Sequence, residues 1–458
     1  MSTAISIDSY IKKGARVHLV GIGGVSMRPL AMVLHGMGVE ISGSDMNSSA
    51  STDELIAAGI PVFIGHRAEN IRGAACIIRT AAARNDNVEI AAARELGVPI
   101  FERAQAWGYI MKSYQNAICI SGTHGKTTTT SMVTHIFMEA ETDPTVMIGG
   151  YLPLLGAGHR VGNGDTVIME SCEYCNSFLN FFPTTAVVLN IEADHLDFFK
   201  DLADVERSFR RFAELVPSQG RVIANHDDAN TMETLKDLKK LTFGLQTGAD
   251  VLGTDCSGDF RSLDVTVHGE HYCHLDLQVV GRHNALNALA ACAVAWSHGI
   301  PGETAARGLA AFTGAGRRME RKGVFNGAEV YDDYAHHPGE LHALLTAVRS
   351  MGRQRILCAF QPHTYTRTQA LFDDFVRELK TVDVAVLAEI YAARETNTIG
   401  ISSRDLCDRI PGSVYCATLQ DVTATLKKLA RPGDLIITVG AGDIYKAGEA
   451  LLREKQDA

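Results

Sequence analysis

One short stretch of the chain combines glycines, a lysine and threonines in an order typical of phosphate binding. The apolar run 117–120 predicts a buried strand, Gly122 and Gly125 allow a tight loop after it, and Lys126 begins a helix. In such a loop the backbone N–H groups contact phosphate oxygens, the lysine adds positive charge, and the Thr127 hydroxyl can bind Mg²⁺. The full P-loop pattern has a glycine six residues before the lysine, where this chain has isoleucine. The stretch is therefore a shortened P-loop, and it predicts binding of a nucleoside triphosphate.

Two further strands of the same region are followed by side chains that could bind a cation. The strand 166–169 leads to Glu170, and the strand 185–190 leads to His195. Ligands of open α/β sheets bind beyond the carboxyl ends of the strands, so Thr127, Glu170 and His195 are expected at one edge. A hydroxyl, a carboxylate and an imidazole can together hold a hard cation that bridges phosphates. Taken singly, the glutamate could be a solvated acid and the histidine a helix cap.

A second glycine-rich turn lies near the N-terminus. The pattern predicts a strand over 17–20, a turn over 21–26, a helix over 27–37 and a second strand over 39–45 that ends in aspartate. This order is typical of a dinucleotide-type βαβ unit, in which the aspartate contacts a ribose hydroxyl. The third glycine of that fingerprint is Ser26 here, so a generic turn between strand and helix remains the alternative.

The last third of the chain places basic and aromatic side chains at successive strand ends. A strand end at 330–340 carries two adjacent histidines, the strand 356–360 is followed by His363 and Arg367, and a last strand covers 435–439. Such groups predict a pocket for an anionic small molecule. The alternative is that the histidines before a proline only form a turn.

Bulk properties restrict the fold and the partners. At 458 residues the chain is expected to form about three domains, and alternating strand and helix patterns predict α/β architecture with mainly parallel sheets. We place the domains at 1–108, 109–313 and 314–458. A formal net charge of −10 argues against non-specific nucleic-acid binding. No apolar run approaches the ~20 residues needed to span a bilayer, and the first 13 residues lack a secretory signal pattern.

The ten cysteines are scattered, which suits free thiols in the cytoplasm better than a disulfide framework. Cys172 and Cys175 form one CxxC pair, and without a second pair a zinc site is not expected. A redox role for this pair remains an alternative.

Eight segments together resemble the Mur ligase family, within it the alanine-adding branch, and they span nearly the whole chain. They are Gly21–Met27, Ser42–Asp45, Gly122–Thr128, Asn190–Asp197, His283–Asn287, Asp332–Pro338, Phe360–His363 and Gly440–Asp443. The resemblance implies a Rossmann-like N-terminal domain, a central P-loop ATPase-type domain with a mixed or parallel sheet, and a Rossmann-like C-terminal α/β domain. It also implies ATP-dependent ligation of L-alanine to the lactyl carboxylate of UDP-N-acetylmuramate, a step of peptidoglycan precursor synthesis, with Mg²⁺ as cofactor.

Carried over by position, the resemblance implies five groups of site residues. Those implied to bind the UDP-sugar are Gly21, Gly23, Ser26, Asp45, His124 and Glu173. Those implied to bind ATP are Gly122, Thr123, Gly125, Lys126, Thr127, Thr128, Asn284, Asn287, Arg317, Arg318 and Asp332. Those implied for the amino acid are Tyr334, His336, His337, His363 and Arg367. The implied metal ligands are Thr127, Glu170 and His195, and the implied catalytic residues are Lys126, Glu170, His195, His337 and Arg367.

The chain departs from the family pattern at two places. Cys172 and Cys175 stand where the family often has acids, which puts sugar-side contacts there in question, and Thr364 stands where an arginine is common.

Asparagines 284 and 287, three residues apart, share a helix face and fit either an adenine edge or a helix cap.

Three other functions stay open at this point. They are a murein tripeptide ligase that uses the same UDP-sugar, a nicotinamide-dependent oxidoreductase built on the first glycine turn, and a non-catalytic UDP-sugar sensor. The partners expected are UDP-N-acetylmuramate, L-alanine and ATP, without nucleic acid or membrane, for a monomer or homodimer.

Overall fold

The computed structural model describes residues 6–24, 26–80, 83–196, 198–352, 355–393 and 395–453. Val25 and Asp197, which lie in two of the motifs above, fall outside the described residues. The chain divides into two compact units. The first unit comprises Met1–Leu252, Thr266–Cys273 and Ala288–Leu309, and the second comprises Gly253–Val265, His274–Asn287 and Ala310–Ala458.

The N-terminal part of the first unit is a doubly wound parallel sheet. Its strands are β1 (Arg16–Val20), β2 (Glu40–Asp45), β3 (Val62–Ile64), β4 (Cys76–Arg79) and β5 (Ile100–Glu102). Its helices are α1 (Met27–Gly36), α2 (Ala50–Ala57), α3 (Val88–Glu95) and α4 (Arg103–Met111), with short 3₁₀ helices at Ile7–Ser9 and Ala68–Ile71. The strand order is β3-β2-β1-β4-β5, and every pairing is parallel. The glycine turn therefore lies at the carboxyl end of the central strand, as the βαβ pattern predicts.

A larger, mixed sheet follows. It contains β6 (Asn116–Ser121), β7 (Thr145–Leu152), β8 (Ala157–Arg160), β9 (Thr166–Glu170), β10 (Thr185–Val188), β11 (Arg221–Asn225), β12 (Leu241–Gly244), β13 (Val251–Thr254), β14 (Ser262–Val267) and β15 (Glu270–Asp276). The helices are α5 (Lys126–Glu139), α6 (Leu202–Ala213), α7 (Ala229–Thr234), α8 (Arg282–Ser297) and α9 (Gly302–Ala310), with 3₁₀ helices at Pro153–Leu155 and Tyr174–Asn180. The strand order is β15-β14-β13-β12-β11-β10-β6-β9-β7-β8.

The centre of this sheet is parallel, and it determines where the phosphate loop lies. Strand β6 pairs in parallel with β9 on one side and with β10 on the other. The carboxyl ends of these three neighbouring strands therefore meet at one edge, as the sequence predicts. The hairpin of β7 and β8 is antiparallel and ends the sheet on the β9 side.

The second unit contains a six-stranded sheet. Its strands are β16 (Glu320–Phe325), β17 (Ala328–Asp333), β18 (Arg355–Phe360), β19 (Val384–Ala388), β20 (Val414–Cys416) and β21 (Asp434–Val439). Its helices are α10 (Pro338–Ser350), α11 (Tyr365–Ala370), α12 (Phe372–Leu379), α13 (Ser403–Cys407), α14 (Leu419–Leu429) and α15 (Tyr445–Arg453). The order is β16-β17-β21-β18-β19-β20, with β16 antiparallel to β17 and the remaining pairings parallel.

Each unit has its own apolar core. In the first unit, one cluster of buried residues extends from Ile7 to Leu235 and includes Trp107, Phe178 and Phe212. Helix α4 approaches the 3₁₀ helix at Tyr174–Asn180 so closely that a Cβ added to Gly108 would lie 2.0 Å from the carbonyl oxygen of Asn180. The second unit is built on two clusters, one on each face of its sheet. Among the described residues, no helix is both long enough and apolar enough to cross a bilayer.

Candidate active site

The phosphate loop joins β6 to α5 through two glycines in the left-handed region. Gly122 has φ +147° and Gly125 has φ +83°, conformations that side-chain-bearing residues rarely adopt. The backbone N–H of Thr123 donates to the carbonyl of Asn190 at 3.0 Å, and that of His124 donates to the Asn190 side chain at 2.7 Å. The loop is thus held against the end of β10, and the N-terminus of α5, which attracts anions, begins directly at Lys126.

Lys126 is a buried cation with an acidic partner. Its Nζ lies 3.0 Å from Glu173 Oε2 and donates to the carbonyls of Gly122 and Thr123. Burial alone would lower the pKa of Lys126, but the charge of Glu173 outweighs it, and the net shift of the pKa is upward. The ammonium therefore stays charged and is available to an incoming phosphate.

Glu170 and Thr127 contact each other at the edge where the sequence predicts a cation site. The Thr127 hydroxyl donates to Glu170 Oε2 at 2.9 Å, and the backbone N–H of Gly149 donates to the same oxygen at 2.7 Å. Glu170 is the last residue of β9, and Thr127 is in the first turn of α5. The parallel pairing of β6 and β9 thus brings together two oxygen ligands that are 43 residues apart in sequence.

His195 lies beside the same cluster. Its Nε2 is 3.8 Å from Glu173 Oε1, and its ring centroid is 4.7 Å from that of Tyr174. The backbone of His195 has φ +53°, an uncommon conformation for a residue other than glycine and one that often accompanies a functional constraint. Glu173, which the resemblance implies on the sugar side, lies between Lys126 and His195.

The CxxC pair shows little of the character of a reactive dithiol. Burial raises the pKa of the Cys172 thiol to about 12, whereas redox-active cysteines usually have a lowered pKa. Both cysteines are free, and Cys175 is exposed.

The N-terminal glycine turn is closed by the acid at the end of β2. The N–H of Gly23 donates to Asp45 Oδ2 at 2.9 Å, and the N–H of Gly21 donates to the Ser44 carbonyl at 2.8 Å. Ser26 is the N-cap of α1 without a capping bond from its own side chain, and its hydroxyl instead accepts from the guanidinium of Arg103. Four members of the group implied to bind the UDP-sugar, Gly21, Gly23, Ser26 and Asp45, therefore lie together around the start of α1, whereas His124 and Glu173 lie at the phosphate loop.

Three buried nitrogens close to this turn were not found from the sequence. Trp107 Nε1, Arg28 Nε and His159 Nδ1 are buried, and none has a hydrogen-bond partner among the described residues. Trp107 Nε1 and Arg28 Nε can only donate, and they suit a ligand that accepts hydrogen bonds, because a buried N–H without an acceptor costs about 1–3 kcal/mol. The sequence signal was weak, since isolated arginine and tryptophan residues in helices follow no motif.

In the second unit, Arg317 is fixed beside the end of β17. Its Nε lies 2.8 Å from Asp332 Oδ2, and it donates to the carbonyls of Gly440 and Gly442. Its guanidinium stacks 5.0 Å from the ring of Tyr334, and that of Arg318 stacks on the same ring at 5.5 Å. Burial raises the pKa of Asp332, and the Arg317 charge opposes that shift.

The side chains implied to bind the amino acid form a cluster in the second unit. The rings of His336 and His363 are 5.9 Å apart, and Arg367 Nη1 is 3.4 Å from His363 Nδ1. His337 is the N-cap of α10, where its Nδ1 accepts from the N–H of Gly339 at 3.2 Å. Sequence reasoning missed Tyr391, whose ring stacks on His363 at 5.7 Å.

Asn284 and Asn287 lie in the first two turns of α8, and both are 7% exposed. The Asn284 amide donates to the Val280 carbonyl at 2.9 Å, so part of its hydrogen-bonding capacity is used locally. Burial lowers the pKa of the neighbouring His283 to about 4, with the Arg318 charge acting in the same direction.

Comparison with family models matches three consecutive segments of the chain. Residues 16–115 match the catalytic domain of the Mur ligase family, residues 120–295 match the Mur ligase middle domain, and residues 317–442 match the Mur ligase glutamate ligase domain.

Two relatives that match over nearly the full chain carry the same name. UDP-N-acetylmuramate–L-alanine ligase of Acetivibrio thermocellus is 44% identical over 456 residues, covering 97% of each chain. The enzyme of the same name from Caldanaerobacter subterraneus is 43% identical over 455 residues, covering 97% of this chain and 99% of the relative.

Solved structures agree with this similarity. The UDP-N-acetylmuramate–alanine ligase MurC from Thermotoga maritima superposes with a TM-score of 0.81 at 27% identity, covering 96% of this chain and 99% of that one. A murein peptide ligase from Psychrobacter arcticus shares the fold with a TM-score of 0.71 at 23% identity, covering 96% and 98%.

Proposed function

The chain belongs to the Mur ligase family, and from this membership we propose that it joins L-alanine to UDP-N-acetylmuramate in an ATP-dependent reaction. The product is UDP-N-acetylmuramoyl-L-alanine, a precursor of peptidoglycan, released with ADP and phosphate. The relatives that match over nearly the full chain carry this activity in their names.

The observation that carries the proposal is the cluster at the start of α5. A charged lysine, a hydroxyl and two glutamates converge there, with Lys126 paired to Glu173 at 3.0 Å and Thr127 bonded to Glu170 at 2.9 Å. Such a set can hold a triphosphate and its cation while a second anion approaches.

We propose Mg²⁺ as the cofactor of this cluster. Carboxylate and hydroxyl oxygens are the ligands that Mg²⁺ prefers, and the Thr127–Glu170 pair presents both kinds at one point. His195 would complete the set. A Mg²⁺ ion held by these residues would supply positive charge that offsets the charge of the phosphates.

The proposed reaction has two steps. The lactyl carboxylate of the sugar attacks the γ-phosphorus of ATP, the bond to the bridging oxygen breaks, and ADP leaves as an acyl phosphate forms. The amine of L-alanine then attacks the acyl carbon, phosphate leaves, and the amine loses a proton. Neither step requires a covalent enzyme intermediate.

The residues of this chain act in these steps by positioning and by charge. Lys126 lies where it offsets the repulsion between a carboxylate and a polyanion. Holding the reacting carboxylate in line with the γ-phosphate can contribute about 7–11 kcal/mol to the lowering of the barrier. Exclusion of water protects the acyl phosphate from hydrolysis.

Three binding regions are assigned on the same basis. The turn at Gly21, Gly23, Ser26 and Asp45, with His124 near the phosphate loop, would bind the UDP-sugar. Asn284, Asn287, Arg317, Arg318 and Asp332 would contact ATP along with the loop residues 122–128. Tyr334, His336, His337, His363 and Arg367 would bind L-alanine, and the 3.4 Å contact between the last two supports a shared role.

Several other properties remain predictions from the sequence. These are the domain boundaries at 108 and 313, a monomeric or homodimeric state, a cytoplasmic location, and independence from nucleic acids and membranes.

One assay tests the proposal against the tripeptide alternative. Phosphate release is measured with ATP, Mg²⁺ and UDP-N-acetylmuramate in the presence of L-alanine, L-serine, glycine or murein tripeptide. We expect the highest kcat/KM with L-alanine. Preference for the tripeptide would indicate the recycling ligase, and no release with any acceptor would contradict the ligase function.

A further inference from the structure

A cavity of about 260 Å³ lies between the glycine turn and the cation site of the first unit. Ser26 and Arg103 line one part of it, and Glu170 and Cys172 line another. Met147, Met169 and Phe181 provide apolar lining. The cavity therefore connects the residues proposed for the UDP-sugar with those proposed for ATP and Mg²⁺.

Arg103 brings a positive charge to this cavity without an acidic partner. Among the described residues it forms no ion pair, and its guanidinium donates to the hydroxyl of Ser26. The neighbouring acid, Glu102, is instead paired with Arg79 at 2.6 Å. Burial lowers the pKa of Arg103, which reflects how poorly its charge is solvated. Arg103 is half-buried, and a poorly solvated charge without an ion pair in the described part of the chain is unfavourable, so this arginine favours an anion from outside the chain.

Trp107 adds a second donor one helical turn further along α4. Its side chain is 2% exposed and also lines the cavity, and its indole Nε1 is buried without a hydrogen-bond partner in the described part of the chain. Residues four apart in a helix lie on the same face, so the two donors come from one face of α4.

The chemistry of the lining matches one group of the proposed substrate. A single guanidinium pairs well with a single carboxylate, to which it can donate two parallel bonds. The methionines and the phenylalanine suit a small methyl-bearing fragment. The lactyl arm of UDP-N-acetylmuramate consists of a carboxylate and a methyl group on one carbon.

We propose that this cavity receives the lactyl arm of the sugar nucleotide, with Arg103 and Trp107 as the groups that recognise its carboxylate. The inference rests on the proposed function and adds to it the basis of selection for a sugar that carries an acidic arm. Glu170 lies on the same cavity, so the arm is held beside the cation site at which its carboxylate reacts.

A binding cycle with two sugar nucleotides tests the proposal. UDP-N-acetylglucosamine is the same molecule without the lactyl arm, and calorimetry gives the affinity of each for the wild-type protein and for Arg103→Met. We expect the variant to lose at least tenfold in affinity for UDP-N-acetylmuramate, about the worth of one charged hydrogen bond. Its affinity for UDP-N-acetylglucosamine should change by less than about twofold, which also shows that the variant is folded.

Two further variants sharpen the result. Trp107→Phe keeps the ring and removes the indole N–H, and we expect a selective loss of about three- to tenfold for the sugar with the arm. Arg94→Met removes a charge from α3, where the guanidinium bonds only to Asn85 among the described residues, and it should alter neither affinity.

Each alternative outcome has one meaning. Equal losses for both sugar nucleotides in Arg103→Met would show that the arginine only supports the glycine turn through Ser26, and unchanged affinities would show that it contacts neither. Either result overturns this inference and leaves the proposed function standing. Failure of the wild-type protein to bind either UDP-sugar overturns the proposed function, and the inference falls with it.

Discussion

At the scale of single residues, Lys126 supplies the positive charge of the phosphate loop. Its side chain is 13% exposed, and its ammonium lies between Glu173 and two backbone carbonyls, so a neutral side chain there would remove the positive charge of the phosphate loop. We expect Lys126→Met to lower the rate of ATP-dependent phosphate release by roughly 10²–10³-fold or more while UDP-sugar binding is retained.

The control for this variant is Lys236→Met. Lys236 is a largely exposed lysine whose partner is Glu233, at 2.7 Å. Normal rates are expected for the control, and a normal rate in Lys126→Met would contradict the assignment of the loop.

Arg367 is the residue that we expect to affect alanine use most selectively. It lies 3.4 Å from His363 in the second unit, where a guanidinium can pair with the carboxylate of an amino acid. Arg367→Ala should raise the KM for L-alanine about tenfold or more and change the KM for ATP far less. Steady-state kinetics with each substrate varied in turn measures both. Arg409→Ala, which removes an exposed guanidinium near Asp373, is the matched control.

The sequence predicted some residues of the site better than others. Thr127 and Glu170 were predicted to meet because each follows a strand and the parallel order brings strand ends together. Arg103 was missed because its contact with Ser26 spans 77 residues and depends on how α4 packs. Tyr391 was missed although it follows β19, since its contact with the His363 ring depends on how two strand ends meet and no motif marks it.

At the scale of elements, the packing of α4 on the 3₁₀ helix at 174–180 connects the first sheet to the active-site segment. Because a Cβ on Gly108 would lie 2.0 Å from a backbone oxygen, Gly108→Ala must push the two elements apart. We expect a loss of about 1–3 kcal/mol in the free energy of unfolding.

Gly36→Ala is the matched control, measured by chemical denaturation alongside Gly108→Ala. Gly36 is also helical, is exposed, and has nothing within 4 Å of its added Cβ. The control should be neutral or slightly stabilising, since alanine favours helix by up to about 1 kcal/mol over glycine. Equal effects in both variants would show that the contact at Gly108 does not restrain α4.

A buried acid joins four elements of the N-terminal sheet. Glu89 of α3 is fully buried and accepts from Ser44 of β2 at 2.5 Å and from Asn70 at 2.6 Å. The histidines that face it are His66, at 3.1 Å, and His18 of β1, at 3.7 Å. Burial alone would raise the pKa of Glu89, but the interactions with His18, Ser44 and Asn70 outweigh burial and lower it to about 2.

This network predicts a stability profile in acid. Because the folded pKa of Glu89 lies below the usual glutamate value of 4.5, its stabilisation is present above pH 4.5 and is lost as the pH falls toward about 2. The loss should amount to at most about 3 kcal/mol. Denaturation curves at pH 5 and pH 3 for the wild type and Glu89→Gln measure it, and the variant should show the smaller decrease. An equal decrease in both would contradict the role of Glu89.

The regular elements were the easier part of the prediction. Strands β6, β9 and β10 of the phosphate-binding core follow apolar runs and were predicted, and the structure confirms the α/β class. The antiparallel hairpin of β7 and β8 was not predicted, because Gly149, Gly150, Gly156 and Gly158 interrupt its apolar pattern.

At the scale of the whole molecule, the proposed binding groups are divided between the two units. Those for the sugar nucleotide belong to the first unit, and those for the amino acid belong to the second. We expect UDP-N-acetylmuramate alone to slow amide hydrogen exchange at the 21–26 turn and in α4, but not around His336 and His363. Exchange measured by mass spectrometry checks this, and equal protection in both regions would contradict the assignment.

The three family models follow one another along the chain in the order expected for three domains. Length and the alternation of elements predicted that number. The division into two compact units was not predicted, because it depends on which buried residues share a core, and periodicity does not show that. One apolar cluster of the first unit contains residues from both of its sheets.

The position of Trp107 gives the protein a built-in fluorescent reporter. The chain has only two tryptophans, and the other, Trp296, is 40% exposed. In a Trp296→Phe variant all indole fluorescence would therefore come from Trp107 in the cavity wall. A ligand that fills the cavity would change the wavelength or intensity of Trp107 emission. Its binding could therefore be followed by titration or stopped flow without a label on the protein or the ligand.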